Sequence, residues 1–299
     1  MDEPRILRDE AVAGRHEIGD VSVDWAVACH VGRVREANED AALASPGRYI
    51  VADGMGGHDS GELASEAALR TLAQAPVGQA VDETRENLKD LLVQAQDRIG
   101  ELGSETGRRA GTTATGVVLA MDRGEPRWVS FNIGDSRTYL YSAGRLNQVS
   151  VDHSQVQELV DAGLLTPEQA RVDSRRNVIT RALGAGMAVP VADYYAFEAT
   201  PGDIVLLCSD GLDGELADDE IAVILETAPD NEVAAAALVE AALESGAHDN
   251  VTVAVLSVDF AVDDAPTDGA QTEDAQVEEV QTEQAQTGDA QTGSAPAAE

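Results

Sequence analysis

A succession of short β-rich segments separated by only a few residues constrains the fold of this chain more than any other feature. Residues 112–121, 127–134 and 137–142 follow one another closely, and Ala143-Gly144 can form a tight turn into residues 145–150. Strands joined by such short turns pair antiparallel, because a parallel pair needs a long crossover connection. The sequence therefore predicts largely antiparallel sheets, and it argues against a doubly wound parallel sheet.

Helical segments interrupt these strands in pairs. Apolar residues recur at helical spacing in residues 61–75, 82–102, 154–162, 166–171, 218–227 and 231–245. Helix pairs inserted between groups of antiparallel strands are typical of α+β layers. Aromatic residues make up only 3% of the chain, so the core must be built from Val, Leu, Ile and Ala.

The two ends of the chain differ from its middle. Residues 1–20 are charged and aperiodic, which predicts a loose N-terminal lead-in before a domain at 21–260. Residues 261–299 contain no Lys, Arg or aromatic residue and repeat an A-Q-T triplet, so they are expected to form a disordered acidic tail. Its Thr272 and Thr282 leave a second interpretation open, in which the tail carries kinase sites or docking points.

The charge balance limits the partners and the compartment. With 55 acidic against 20 basic residues the net charge is −35, which repels nucleic acid and anionic membrane surfaces. No apolar run reaches the length of about 20 residues that spans a bilayer, and the N-terminus lacks the order of a secretory signal. Cys29 and Cys208 both lie in apolar runs, as expected for buried thiols of a cytoplasmic protein.

Four aspartates fall at the ends of predicted strands. Asp53 and Asp210 directly follow apolar runs, Asp135 ends a third, and Asp249 leads into a fourth. Each alone is also explained by ordinary turn chemistry. Four together predict a carboxylate cluster that needs a counter-charge, and carboxylate and carbonyl oxygens suit Mg²⁺ or Mn²⁺. The cysteines and histidines show no zinc-type spacing, and Gly54 would let a backbone carbonyl approach the ion.

One cation lies upstream of a further acidic pair. Arg35 precedes Glu39 and Asp40, and a guanidinium is suited to forked binding of a tetrahedral oxyanion. The same three residues can equally form an exposed ion pair. Taken with the four aspartates, they favour metal-assisted attack on a phosphate.

The chain resembles the metal-dependent serine/threonine protein phosphatases of type 2C (the PPM family), in their bacterial form. Eight blocks appear in the family's order: REANED at 35–40, VADGMGGHDSG at 51–61, GTTA at 111–114, NIGDSRTY at 132–139, DHS at 152–154, NVITRALG at 177–184, CSDGL at 208–212 and DNVTV at 249–253. The resemblance implies two antiparallel sheets packed face to face with helices on both outer sides. It covers about residues 21–260.

The resemblance also implies two metal ions that share a bridging water, activated as hydroxide. Asp53 should bridge both ions and the Gly54 carbonyl should bind the second. Asp210 and Asp249 should complete the first ion.

Further roles follow from the same resemblance. Glu39 and Asp40 should lie beside the second ion, and Arg35 should clamp the substrate phosphate. Bacterial members often hold a third ion, which would involve Asp135 and Asp210.

The implied function is hydrolysis of phosphoserine and phosphothreonine in proteins, opposing serine/threonine kinases, by a monomer that binds neither nucleic acid nor membrane. The alternative is a catalytically silent relative that binds phosphoproteins. A third interpretation, an aspartyl-phosphate phosphohydrolase of another fold, is disfavoured, because the residues after Val51 do not form the Asp-x-Asp-x-Thr/Val sequence that it would need. The chain departs from the family at Met55, where some relatives have a histidine, and at residues 170–176, which lack the usual His-Pro.

Overall fold

The computed structural model describes residues 5–56, 59–106, 110–187 and 189–260, with the backbone alone at 59 and 103–106. The predicted tail at 261–299 and its two threonines lie outside the described residues. Within the described ranges, no helix is long and apolar enough to cross a membrane.

Strands and helices alternate in groups along the chain. The strands are β1 (Ile6–Leu7), β2 (Ala11–Ile18), β3 (Val21–His30), β4 (Ala41–Ser45), β5 (Arg48–Ala52), β6 (Gly54–Met55), β7 (Gly111–Thr112), β8 (Ala114–Asp122), β9 (Glu125–Ile133), β10 (Arg137–Ser142), β11 (Arg145–Gln148), β12 (Leu183–Gly184), β13 (Asp193–Glu198), β14 (Ile204–Cys208) and β15 (Val251–Phe260). The helices are α1 (Asp59–Leu72), α2 (Val81–Thr106), α3 (Gln155–Asp161), α4 (Pro167–Val172), α5 (Asp210–Asp213), α6 (Asp218–Thr227) and α7 (Asn231–Ser245).

These strands form two six-stranded sheets and one small sheet. The first large sheet has the order β1-β4-β5-β8-β9-β13, the second β11-β10-β14-β15-β3-β2, and the small one β12-β7-β6. Every ladder is antiparallel. The turn at Ala143-Gly144 has positive φ at both residues, 49° and 77°, which is the type I′ geometry of a tight hairpin. The predicted antiparallel α+β class is confirmed.

The two large sheets pack face to face. Val51 and Trp128 of the first sheet share one buried cluster with Val27, Leu207 and Leu256 of the second. Because strands in this layer are covered on both faces, β14 is apolar along its whole length, β5 is apolar after its first residue, Arg48, and neither alternates.

Helices cover both outer faces. Leu69 of α1 and Leu88 of α2 pack in one cluster with Ile50 of the first sheet. On the other side, Leu238 of α7 packs in a second cluster with Leu206. The layer order is therefore helix, sheet, sheet, helix. The segment 154–177, called the flap below, contains α3 and α4 and lies between β11 and β12 in sequence.

The N-terminal residues contradict the expected loose lead-in at 1–20. Strand β1 pairs with β4, and β2 pairs with β3 from Ala11–Ala28 to Ile18–Val21. Strand β2 is the edge of its sheet, so only Val12, His16 and Ile18 are half-buried and the other positions are exposed. An edge strand buries only part of its surface, so it needs few apolar residues. The composition of β2 therefore resembles that of a loop.

Candidate metal centre

The sandwich brings the predicted strand-end acids to one place. Asp53 follows β5 of the first sheet, whereas Asp210 follows β14 and Asp249 precedes the neighbouring β15 of the second. Loss of solvent raises the pKa of Asp53 well above its ordinary value, and the negative charges of Asp40, Asp210, Asp135 and Asp249 raise it further. Acids from four other segments of the chain therefore act on Asp53.

The backbone on either side of Asp53 is fixed by a pair of threonines. Thr113 Oγ1 accepts a hydrogen bond from the Asp53 amide at 3.0 Å, and the Asp53 carbonyl accepts from the Thr113 amide at 2.9 Å. Thr112 Oγ1 donates to the same carbonyl at 2.9 Å. The GTTA block thus holds the end of β5, a role that the sequence analysis did not assign to it.

Asp40 is buried beside the end of β14. Its Oδ2 accepts a hydrogen bond from Ser209 Oγ at 2.7 Å. Burial, together with the charges of Asp210 and Asp249, raises the pKa of Asp40 to about 7. The predicted side chain is therefore in contact with the centre, and Ser209, to which the sequence analysis gave no role, is its donor.

Glu39 is positioned by Asn250. The Glu39 amide donates to Asn250 Oδ1 at 2.8 Å, and the Asn250 side chain donates to the carbonyls of Val31 and Ala37 at 2.8 and 3.0 Å. Asn250 follows Asp249 at the start of β15, so it ties the loop that carries Arg35 to that end of the strand. Asn250 belongs to the DNVTV block, but this contact was not predicted from the sequence.

Gly54 is required by close backbone packing. A Cβ there would lie 2.3 Å from the Gly61 carbonyl oxygen and 2.5 Å from that of Glu39. Likewise, a Cβ at Gly61 would lie 2.6 Å from Glu39 Oε1. Three backbone segments therefore meet at a distance that only glycine permits. The assignment of the Gly54 carbonyl as a metal ligand stays a prediction.

The oxygen donors fit a hard divalent ion. Asp135 Oδ1 and Asp210 Oδ1 are buried atoms with no hydrogen-bond partner among the described residues. Such atoms are costly to leave unpaired, and a cation is their natural partner. In the described part of the chain no three His, Cys, Asp or Glu side chains are already arranged to hold a metal. Asp249 and Asp40 accept hydrogen bonds from Arg35 and Ser209.

Arg35 lies at the rim of the centre. Its Nη2 donates to Asp249 Oδ2 at 2.6 Å, and its side chain remains 49% exposed. Among the described residues, no acceptor engages its other guanidinium nitrogens in a hydrogen bond. The structure thus pairs Arg35 with Asp249, a partner outside the acidic pair Glu39 and Asp40 that was considered from the sequence, and its other guanidinium nitrogens remain available to a ligand.

The centre opens into a cleft of about 490 Å³. Asp135, Asp210 and Asp249 line it together with Arg35, and residues of the flap complete the lining. His153 does not line this cleft: its Nδ1 accepts a hydrogen bond from the Gly134 amide at 3.0 Å, which holds the turn before Asp135. His58, in the second sequence block, lies outside the described residues.

The chain matches the family described as Protein phosphatase 2C over residues 33–244. It is 37% identical over 230 residues to the serine/threonine protein phosphatase PstP of Mycobacterium tuberculosis, covering 76% of this chain and 43% of PstP. It is 34% identical over 237 residues to the protein phosphatase PhpP of Streptococcus pneumoniae, covering 77% of this chain and 95% of PhpP. The chain thus spans less than half the length of PstP.

A solved structure is also similar to this chain. The catalytic domain of PstP in complex with 2 manganese ions superposes with a TM-score of 0.68 at 34% identity. The superposition covers 80% of this chain and 99% of that one.

Proposed function

The chain belongs to the protein phosphatase 2C family, and from that premise we propose that it hydrolyses phosphoserine and phosphothreonine in proteins with two divalent ions. The observation that carries the proposal is the convergence of acids from separate strand ends on Asp53, beside Arg35 and an open cleft. In the PstP structure the ions are manganese; either Mn²⁺ or Mg²⁺ suits an all-oxygen donor set.

In this proposal each acid has a distinct task. Asp53 would help to hold both ions, and Asp210 and Asp249 would hold the first. The Gly54 carbonyl, with Glu39 and Asp40 nearby, would hold the second. Asp135, whose Oδ1 has no partner among the described residues, would hold a third ion together with Asp210. Bound ions lower the pKa of water toward neutrality and draw negative charge from phosphoryl oxygens.

Arg35 binds and orients the substrate phosphate. The guanidinium donors that do not contact Asp249 can form charge-assisted hydrogen bonds to two phosphoryl oxygens, and Asp249 holds the side chain in place. Met55 lies next to Gly54 and has no proton to give, so the leaving alkoxide takes its proton from water. No side chain of the centre forms a covalent phosphoenzyme in this scheme.

The proposed setting follows from the substrate. The partners are phosphoproteins and the serine/threonine kinases that produce them. Buried free Cys29 and Cys208 are consistent with a reducing cytoplasm, where we place the protein as a monomer.

The rival proposal is a silent phosphoprotein-binding relative. Release of inorganic phosphate from a phosphothreonine peptide in Mn²⁺ separates the two, with a chelated sample as the control. Turnover that needs the ion supports the enzyme. Peptide binding without any turnover at millimolar Mn²⁺ supports the rival.

Arg35→Ala is expected to lower kcat/KM for a phosphothreonine peptide about 10- to 100-fold, because hydrogen bonds between charged groups are each worth about 1.5–3 kcal/mol. Arg33→Ala is the matched control, since Arg33 donates to the Leu243 carbonyl at 2.6 Å and does not line the cleft. Steady-state kinetics on both variants check this. Unchanged kinetics in Arg35→Ala would remove the phosphate-binding role.

Saturating Mn²⁺ is expected to raise the melting temperature by about 5–10 °C at pH 7.5, and by much less at pH 5. Burial and neighbouring acids raise the pKa of Asp40 to about 7 and that of Asp210 to about 6, from 3.8. The folded protein therefore holds protons that the unfolded chain releases. This stabilisation is fully present below about pH 4 and disappears as the pH rises toward 7.

A divalent ion replaces those protons as the counter-charge of the carboxylates. The stabilisation by the ion therefore grows as the pH rises and the protons dissociate. Thermal denaturation with Mn²⁺, and with NaCl at equal ionic strength as the control, measures the difference. Equal shifts from both salts, or a larger Mn²⁺ shift at pH 5 than at pH 7.5, would contradict the metal assignment.

A further inference from the structure

The flap and the rest of the cleft lining carry different charges. The flap contributes Arg171 and Arg176 to the lining, and its other lining residues are uncharged. It therefore presents two cations and no acid to the cleft. The acids of the lining all come from outside the flap, including Asp152 just before it, Asp210, Glu215 and Asp218.

Three of the four arginines that line the cleft are already engaged. Arg35 pairs with Asp249, and Arg137 pairs with two buried aspartates. Arg171 donates through Nη2 to the carbonyls of Asp213 and Leu216 at 3.3 and 3.0 Å, which fastens α4 to the loop after α5. These contacts assign Arg137 and Arg171 to structural roles and Arg35 to the metal centre.

Arg176 is different. It is exposed, it lines the cleft, and no side-chain hydrogen bond or ion pair engages it within the described residues. Its neighbour Arg175, by contrast, does not line the cleft and is bound by Asp173 through two contacts of 2.8 Å. Of these two adjacent arginines, Arg175 is therefore bound by a nearby acid, whereas Arg176 is unpaired among the described residues and exposed to the cleft.

We propose that Arg176 recognises an acidic residue flanking the phosphorylated residue of the substrate, so that the flap selects acidic phosphopeptides. This inference rests on the proposed function for its substrate class. A phosphate held at Arg35 places the flanking peptide in the same cleft, which the flap also lines. A carboxylate of the peptide is repelled by the acids of the cleft, and Arg176 is an unpaired cation that can attract it.

Two peptide pairs test the proposal. In the first pair, two glutamates or two glutamines precede the phosphothreonine. In the second pair, they follow it. In the wild-type protein kcat/KM for the glutamate form is expected to exceed that for the glutamine form about two- to fivefold on one of the two sides, as exposed ion pairs give. Arg176→Gln should bring that ratio to about one, and Arg175→Gln, with the same change of net charge, should leave it unchanged.

A second measurement separates this proposal from the proposed function. Binding of the same peptides as phosphonates, in which a methylene replaces the ester oxygen, is measured by fluorescence anisotropy in Mn²⁺. A preference for glutamate that is lost only in Arg176→Gln supports the proposal even if no ester is hydrolysed. Hydrolysis of the esters without such a preference, or equal loss in both variants, overturns it while leaving the phosphatase proposal in place.

Discussion

Asp53→Asn is expected to reduce phosphate release from a phosphothreonine peptide at least about 100-fold, the scale of loss when electrostatic stabilisation of a transition state is removed. Asp53 receives the charges of four other aspartates, so it occupies the middle of the acidic centre. Asparagine keeps its shape but supplies one neutral oxygen where two ions would share a carboxylate. Steady-state phosphate release in saturating Mn²⁺ checks the expectation.

The same variant should fold at least as well as the wild type in the absence of divalent ions. Removing one of several mutually repelling carboxylates lowers the electrostatic repulsion within the centre. The melting temperature of Asp53→Asn at pH 7.5 is therefore expected to be equal to or higher than that of the wild type. Loss of activity with retained stability distinguishes a missing ligand from a damaged fold. The exposed Asp90→Asn serves as the control for one lost negative charge. Residual activity above about a tenth in Asp53→Asn would refute the assignment.

Asp210→Asn should behave in the same way. Its Oδ1 is a buried atom without a hydrogen-bond partner in the part of the chain that the structure describes. The Mn²⁺-induced rise in melting temperature should therefore shrink in both variants, which ties the catalytic loss to ion binding.

Local sequence patterns predicted most of the fold. The α6 and α7 spans agree with the prediction, because apolar spacing and acidic first turns define them locally. The strands that were not predicted include β2 and β13, which are both edge strands, and the interior strand β4. An edge strand needs only part of its surface to be apolar, so alternation is weak; in β13 the residues are half-buried or exposed throughout.

The candidate centre was predictable only in part. Adjacency to strand ends identified Asp53, Asp210 and Asp249, since strands of packed antiparallel sheets bring their ends together. The supporting contacts were not predictable from local sequence. Asn250 reaches the carbonyl of Val31, more than two hundred residues away, and such a contact depends on the pairing of β15 with β3.

Arg137 makes another contact of this kind. Its guanidinium binds Asp152 through Nε at 2.9 Å and Nη2 at 2.6 Å, and it contacts Asp213 Oδ2 through Nη1 at 3.0 Å. All three side chains are less than one-fifth exposed. Asp213 closes α5, the helix that begins with Asp210. The cluster therefore joins β10, the segment just before the flap and the helix that carries a proposed metal ligand.

Arg137→Met is accordingly expected to lower the free energy of unfolding by about 3–5 kcal/mol at pH 8, because it leaves two carboxylates enclosed without their cation. Burial already raises the pKa of Asp213 to about 7 despite the opposing effect of Arg137. Without Arg137 this pKa rises further, so the variant keeps a proton on Asp213 at pH 5. The loss of stability should therefore be smaller at pH 5 than at pH 8.

Urea denaturation of Arg137→Met and of Arg70→Met at both pH values measures these differences. Arg70 pairs with Glu66 on an exposed helix face, where an ion pair contributes less than about 1 kcal/mol, so its removal is the matched control for a lost guanidinium. Arg137→Lys should fall between them, since an ammonium retains the charge but cannot bind Asp152 through two nitrogens and reach Asp213 as well. If Arg137→Met loses no more stability than Arg70→Met, the two aspartates must be neutral or hydrated in the folded protein, and the cluster would not hold α5 in place.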